Sequence, residues 1–511
     1  MNPLVRLATA QESRNRQLLA DTPLLRERVE SHVLPFELDP AGHAWSSDLD
    51  HTLGALEKTA AAIAIRSLIS LAKAGDIDHL GGGLELIPAL LMTLGLANDS
   101  RRYTIEHGHT SIGYYAALSA LGFLPEDRVV DKFRRSLDIA GHVSWVPGGT
   151  ELSSGRLGVM VPVATGLALG LKALQGERGL VICHCGDAGW VSGQALNGFI
   201  GASLHKAPVM FVMHRNHIQL SGTTDGIMSK DVRPIAAALG IDILEIPTLH
   251  DRQALFQAYT EAAHRAQSGR PTLIYPVGFG GQGNDSETVA SFGRRYGISS
   301  EVDTFAAKHN VALDTHIQIP GSLMSFRDSL AMIQCVFYVN RLPGGEAHHD
   351  GGMKGRDGAA ALANPMLQLT ADEQTSLDRL RQKPRKLVVT EARPPKGSPN
   401  LPLSHDDVKD IALPGPGKDV TARAGSELAY AAVAKKYPTR CFFVSCDLNP
   451  STKLGKAAAL VPANHQFEMS IEEQAAALMA DGLSYTTRGP QLSVFATFAA
   501  FMEGIAREAF E

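Results

Sequence analysis

Apolar positions recur at helical spacing in four stretches of the first third of the chain. Residues 50–75, DHTLGALEKTAAAIAIRSLISLAKAG, place Leu, Ala and Ile on one stripe, and LELIPALLMTLGL continues as a second helix. Positions 112–122 and 160–174 read the same way. The period then changes. GLVICHC and APVMFVMHR are short continuous apolar runs bounded by turn residues, which marks strands buried on both faces, and a helix begins near Gly193 between them. A helix over about 251–267 and the strand PTLIYPV follow. Short buried strands alternating with longer helices predict a parallel sheet with helices on both faces, in which ligands gather at the carboxyl ends of the strands.

Between 278 and 420 the pattern fades into Gly-, Pro- and His-rich segments such as GFGGQGNDSE, GGEAHHDGGMKGRDGAAA and ALPGPGKD, with one strand, RKLVVTEA. A second α/β pattern then begins, with a helix over 423–435, the strand RCFFVSCDL, a helix over 472–482 and a final helix over about 501–510. The expected organisation is an N-terminal extension over 1–49, an α/β domain over 50–300, a linker or irregular region with one strand over 301–420, and a partial α/β domain over 421–511.

Composition narrows the class. A chain of 511 residues that is 44% hydrophobic has ample material for a core and is too apolar to be disordered. A net charge of −5 gives no general electrostatic reason to expect nucleic acid or an anionic membrane as partner. Five cysteines are too few for a disulfide framework at this length, and Cys183 and Cys185, two apart in an apolar run, are expected to pack on one face of a strand. The N-terminal stretch carries charges inside every apolar segment, unlike a signal peptide, and LELIPALLMTLGL is too short to span a bilayer. The expected location is cytoplasmic, without a membrane or nucleic-acid partner.

Asp187 follows LVICHC directly, between Gly186 and Ala188. A carboxylate at a strand end among small residues suits a hard divalent cation bridging to phosphate oxygens, and Asn216, after VMFVMHR, could add an amide oxygen. The same two residues could equally cap turns or helices. Glu473, beside Glu472, reads on its own as an exposed helix glutamate, and Leu157, Leu220, Phe498 and Phe501 read as ordinary core residues.

These elements fit a larger signature. GDA at 186–188 followed by Asn216 resembles the thiamine diphosphate motif that begins GDG and ends in Asn. DHLGG at 78–82, HGHTSIGYYAALSALGF at 107–123, FRRSLDIAGHVS at 133–144, ELSSGRLGVMVPVATGLALG at 151–170 and RNHIQLSG at 215–222 resemble segments of the transketolase family, in the family's order. TARAGSE, SCDLNPS, FEMSIEEQAAALMADGLS and TFAAF continue the series in the second unit, so that the resemblance covers roughly 60–511.

The resemblance implies an α/β thiamine diphosphate-binding fold, parallel sheets flanked by helices, with two α/β domains joined by a long irregular region. The domain over 50–300 would bind the diphosphate, and that over 421–511 would be part of a pyrimidine-binding domain. It implies that Asp187, Asn216 and the Ile218 carbonyl hold Mg²⁺ (or Ca²⁺ or Mn²⁺) on the diphosphate, and that Gly155, Leu157, Gly186, Ala188, Leu220, Phe498 and Phe501 line the cofactor. Glu473 would hydrogen-bond N1′ of the aminopyrimidine; a carboxyl group kept from water has a raised pKa and shares a proton readily with so weak a base. His79, His109 and His142 match histidines near the reactive carbon and the substrate hydroxyls, and Arg423 and Ser451 match a grip on a sugar phosphate. The implied activity is transfer of a two-carbon ketol unit from a ketose or its phosphate to an aldose or its phosphate. The site would be built from the first unit of one protomer and the second unit of another. The alternatives are a 2-oxo-acid dehydrogenase E1-like decarboxylase, which shares this architecture, and a non-catalytic cofactor-binding or assembly subunit.

Departures from the family pattern sharpen the expectations. GDG is GDA here, and Ser192 and Asn197 stand where transketolases carry glutamates that link paired sites. GFGGQGNDSETVASFGRRYG lacks the family's histidine and offers Arg294 and Arg295 as charges. HHDGG, with His348 and His349, has no counterpart and reads as a substrate loop or a surface turn. The match ends within the pyrimidine-binding domain, so a separate chain supplying the family's C-terminal domain is expected to complete a homodimer or larger complex.

Overall fold

The structure, a computed structural model, describes Leu38 and residues 44–73, 81–97, 100–136, 138–215, 218–219, 222–224, 230–277, 285–288, 290–291, 294, 299–308, 312–314, 316–319, 368–382, 401–412, 421–469, 471–486, 491–502 and 505. Its first unit runs α1 (Ser47–Lys73), α2 (Gly81–Leu96), β1 (Arg101–Ile105), α3 (Ser111–Ala120), α4 (Glu126–Lys132), α5 (Met160–Gln175), β2 (Leu180–Gly186), α6 (Gly193–Leu204) and β3 (Val209–His214). The short strands β4 (Ile218–Gln219) and β5 (Gly222–Thr223) follow, then α7 (Val232–Ala238), β6 (Asp242–Ile246), α8 (Arg252–Gln267) and β7 (Thr272–Pro276). Five strands form a parallel sheet in the order β1-β2-β3-β7-β6.

Strand alternation divides the apolar residues between two cores. Leu180 and Ile182 of β2 join residues of α1, α2, α3 and α8 on one face, while Val181, Cys183 and Cys185 join α5 and α6 on the other. The cysteine pair therefore packs as its spacing predicts. β1 escapes the hydrophobic pattern because RRYTI opens with two arginines. Arg102 is nevertheless buried, its Nη1 donating to Glu151 at 2.9 Å in an enclosed ion pair.

Beyond the first sheet lie β8 (Asp285–Thr288), α9 (Ser299–Lys308), β9 (His316–Ile319) and α10 (Ala371–Arg381). Part of the segment expected to be irregular is thus a helix pinned to α1. A capping box between Thr370 and Glu373 starts α10, Glu373 pairs with Lys58 at 2.5 Å out of solvent, and Arg379 reaches Asp48 at 2.7 Å. Its polar composition hides it, since only Leu377 and Leu380 of the helix join the core and buried or surface ion pairs supply the rest of the attachment. The expected strand RKLVVTEA lies outside the described residues. Of the expected final helix, 501–502 and 505 are helical and the rest lies outside the described residues.

The second unit comprises α11 (Ala422–Lys436), β10 (Cys441–Ser445), β11 (Gln466–Glu468), α12 (Glu473–Ser484) and β12 (Leu492–Phe495), with a parallel sheet in the order β11-β10-β12. Phe442 and Val444 of β10 enter the same core as Val181 and Cys183, whereas Cys441 and Phe443 face a separate cluster with Leu454 and Val461. Helices α5 and α12 meet through backbone. A Cβ added at Gly166 would strike the carbonyl oxygen of Met479, and one at Gly482 that of Val163. Both positions require glycine for this approach, and the second unit is thereby packed on the first within one chain. Among the described residues no helix is long and apolar enough to cross a membrane.

Candidate active site

The carboxyl ends of β1, β2 and β3 share one rim, and each strand is followed at once by chemistry: Glu106 and His107 after β1, Asp187 after β2, Arg215 after β3. Asp187 is only 7% exposed. Its Oδ2 accepts from Thr224 Oγ1 at 3.1 Å, and its amide donates to the His214 carbonyl at 3.1 Å, so the acidic turn is tied to the end of β3. Gly186 closes β2 and Ala188 is half-buried in the turn. Ser192 caps α6 by accepting from the Ala195 amide at 3.2 Å, and Asn197 donates to the Gly193 carbonyl at 3.0 Å. Both positions serve that helix.

Glu106 is a site residue that the sequence reading misses. Its Oε1 accepts from the Gly186 amide and its Oε2 from the Gly158 amide, each at 2.8 Å. One carboxylate therefore links the turn after β2 to the loop before α5. Gly158 has φ +88 and abuts the Ser192 hydroxyl, a conformation and a closeness that exclude a side chain. Burial pushes the Glu106 carboxyl up to about 7, against the opposing pull of the two amides.

Histidines gather at the same rim. His107 is enclosed, and among the described residues neither of its ring nitrogens has a hydrogen-bond partner. Burial, then the neighbouring His214 and His109, hold its pKa well below the usual value, which favours a neutral ring. Its centroid lies 5.2 Å from that of His214 and 5.9 Å from that of His109. His214 Nε2 and Glu85 Oε2 are 3.0 Å apart, both buried. His142 sits beside Gly108 in a loop fixed by Val143 N to Gly108 O at 3.0 Å and by the Tyr115 hydroxyl donating to His142 O at 3.0 Å. The fold thus brings His109 and His142 together around Gly108 and adds His107 and His214. The segment IEHGH carries the missed signal. Glu106 follows β1 as Asp187 follows β2, but β1 itself has no apolar run to mark it.

In the second unit Glu473 opens α12, and the next residue, Gln474, accepts from Gln194 Nε2 of α6 at 3.2 Å. Phe498 and Phe501 are 37% and 45% exposed, with ring centroids 5.7 Å apart. Leu157 and Gly155 are exposed too. Arg423 Nη1 donates to the Ser451 carbonyl at 2.8 Å, so the two residues expected to grip a phosphate are neighbours. The Ile218 backbone pairs with Thr223 between β4 and β5. Arg294 is exposed and donates to Ser291 Oγ at 3.1 Å. His79, Asn216, Leu220, Arg295, His348 and His349 lie outside the described residues.

Comparison with known proteins accords with this architecture. Residues 150–283 match the family model of the Dehydrogenase E1 component. One subunit of the apulose-4-phosphate transketolase of Actinobacillus succinogenes is 29% identical over 189 residues, which cover 34% of this chain and 68% of that protein. The alpha chain of the pyruvate dehydrogenase E1 component of Bacillus cereus is 32% identical over 125 residues, 24% of this chain and 33% of the relative. A transketolase from Pichia stipitis, in a structure with xylulose-5-phosphate, has the same fold, with a TM-score of 0.57 at 17% identity over 89% of this chain. The chain spans 66% of that transketolase's length. With the parallel sheets, the Asp187 turn and the transketolase-type segments in order, these likenesses support a thiamine diphosphate-dependent, transketolase-like family for the chain.

Proposed function

We propose that the chain binds thiamine diphosphate with Mg²⁺ (or Ca²⁺ or Mn²⁺) at the rim of its first sheet and transfers two-carbon ketol units from a ketose or its phosphate to an aldose or its phosphate. The observation that carries the reading is the Asp187 turn, a buried carboxylate at the end of a central parallel strand, flanked by a glycine-lined loop and four histidines. The residues suit the cofactor. Asp187, Asn216 and the Ile218 carbonyl would supply hard oxygen ligands, and the two nitrogens of His107, without a partner among the described residues, leave hydrogen-bonding capacity at the site.

When bound, the cofactor supplies carbanion stabilisation. The chain does the rest. Gly155 and Gly186 let backbone approach, Ala188 lines the same turn with one methyl group, Leu157 and Leu220 wedge the cofactor, and Phe498 and Phe501 cover its pyrimidine. Glu473 holds a proton at N1′ of that ring. His79, His109 and His142 exchange hydrogen bonds and protons with substrate hydroxyls. Arg423 and Ser451 receive a terminal phosphate.

In this reading 50–300 is the diphosphate-binding domain, 421–511 part of the pyrimidine-binding domain, 1–49 an extension and 301–420 the connection. Two observations support a second chain at the site, in a homodimer or with a separate partner: Phe498 and Phe501 are exposed, and the Actinobacillus relative is named as one subunit of its enzyme. A cytoplasmic setting suits phosphorylated sugars.

The E1-component match over 150–283 favours one other reading, decarboxylation of a 2-oxo acid. One experiment separates them. The purified chain, alone and with a candidate second chain, is given thiamine diphosphate and Mg²⁺, then either a ketose phosphate with an aldose phosphate or pyruvate. Cofactor-dependent ketol transfer is the expected result; pyruvate decarboxylation without ketol transfer would replace the proposal with the second reading.

A further inference from the structure

Glu106 has an unusual setting for a buried acid. Among the described residues, the enclosed Glu57, Glu85, Asp138, Glu151 and Glu373 face Arg252, His214, Arg128, Arg102 and Lys58 respectively, and Asp187, assigned to the cation, accepts from Thr224. Glu106 instead spends both oxygens on backbone amides, those of Gly186 and Gly158, at 2.8 Å each. Burying a carboxyl group away from any cation is costly, and two amide bonds only partly offset that cost. A valine or leucine at this position would extend the neighbouring core, so packing alone does not account for an acid here.

Its two partners explain the choice. Gly186 immediately precedes Asp187, and Gly158 immediately follows Leu157. The bridged amides stand apart in the chain, one at the end of β2 before the turn that enters α6 and the other in the loop that enters α5. Glycines at 158 and 189 leave these loops with high intrinsic freedom, and Glu106 closes directly against Gly189 as well. A bidentate acceptor of fixed span removes that freedom before any ligand arrives.

We propose that Glu106 is a positioning residue, a staple that holds the Asp187 turn and the Leu157 loop at the separation needed to receive a cation-bound diphosphate. The proposal rests on the thiamine diphosphate reading above. Glu106 touches neither the reacting atoms nor the cation; it sets where the residues that do so stand. Glutamine has the same size but presents an NH₂ group to one of the two amides, and aspartate is too short to span both.

The test is calorimetric titration of the full chain, with any partner chain needed for binding, using thiamine diphosphate in saturating Mg²⁺. Wild type is compared with Glu106→Gln and Glu106→Asp, and with Lys58→Met, which breaks the remote buried pair with Glu373. Melting temperatures without cofactor are recorded alongside. The expected result is a Kd raised about tenfold or more in both Glu106 variants. Lys58→Met should lower the melting temperature and leave Kd unchanged. If the Glu106 variants bind like wild type, even with lowered melting temperatures, the positioning role is wrong while the cofactor reading stands. If Glu106→Gln fails to fold, the aspartate variant decides by the same criterion. If wild type binds no thiamine diphosphate, the cofactor reading falls and the proposal with it.

Discussion

The two halves of the candidate site are built differently. At the rim of the first sheet, Asp187, Glu106, His107 and His214 are buried and held by strands, helices and one another. In the second unit, Phe498 and Phe501 stand open, and Arg423 is an exposed guanidinium on a neighbouring carbonyl. The lesson is one of preorganisation. Among the described residues, the half assigned to cation and diphosphate is held in place by its own fold, as charges and rigid anions reward fixed geometry; the half assigned to the ring and substrate leaves apolar surface that a ligand or second chain can cover.

The contrast can be broken most severely at Asp187. Asp187→Asn keeps the hydrogen bond from Thr224 in reach but removes the charge, and binding of Mg²⁺ with thiamine diphosphate should fall below detection in calorimetry; unchanged metal dependence would remove Asp187 from the site. The next effect is on stability. Glu106 titrates near 7 in the folded chain and at its ordinary 4.5 once unfolded, so between those values the folded state holds the extra proton. Stability therefore falls as pH rises through that window and stays lower above it, by about 3 kcal/mol for this group. Glu106→Gln should flatten that portion of the curve of melting temperature against pH, and a slope equal to wild type would contradict the burial argument.

Gly166→Ala probes the seam between the halves. Its methyl group would force α5 from α12, costing about 1–3 kcal/mol and lowering the melting temperature. No change would mean that the second unit does not rest on the first. The smallest stability effect belongs to Phe501→Ala, within about 0.5 kcal/mol for the isolated chain because the ring is exposed. Its ketol-transfer activity should nevertheless drop, and a variant of full activity would show that the exposed pair is surface alone.

Legibility in the sequence follows the same division. Strands β2 and β3 announce themselves because both faces are buried, and Asp187 can be read from its place after β2. β1 cannot, since it opens with two arginines, of which Arg102 is buried by virtue of a distant Glu151, and with β1 go Glu106 and His107. The partnership of His214 with Glu85 is likewise a long-range contact without a local pattern. Helix α10 is hidden because only two leucines, Leu377 and Leu380, join it to the core and ion pairs to α1 do the rest. The motif resemblance supplies Glu473, Phe498 and Phe501, which periodicity alone assigns to ordinary helix and core positions, and the structure adds the exposure of the two rings.

The most direct test is ketol transfer by Glu473→Gln beside wild type, with thiamine diphosphate, Mg²⁺ and any partner chain present, together with cofactor binding by both. Glu473 opens α12 at the seam with α6, and its proton is the one the account needs at the cofactor ring. The account predicts that wild type transfers the two-carbon unit, whereas the variant binds cofactor and loses nearly all transfer. Undiminished transfer by Glu473→Gln, or no cofactor-dependent transfer by wild type, would contradict it.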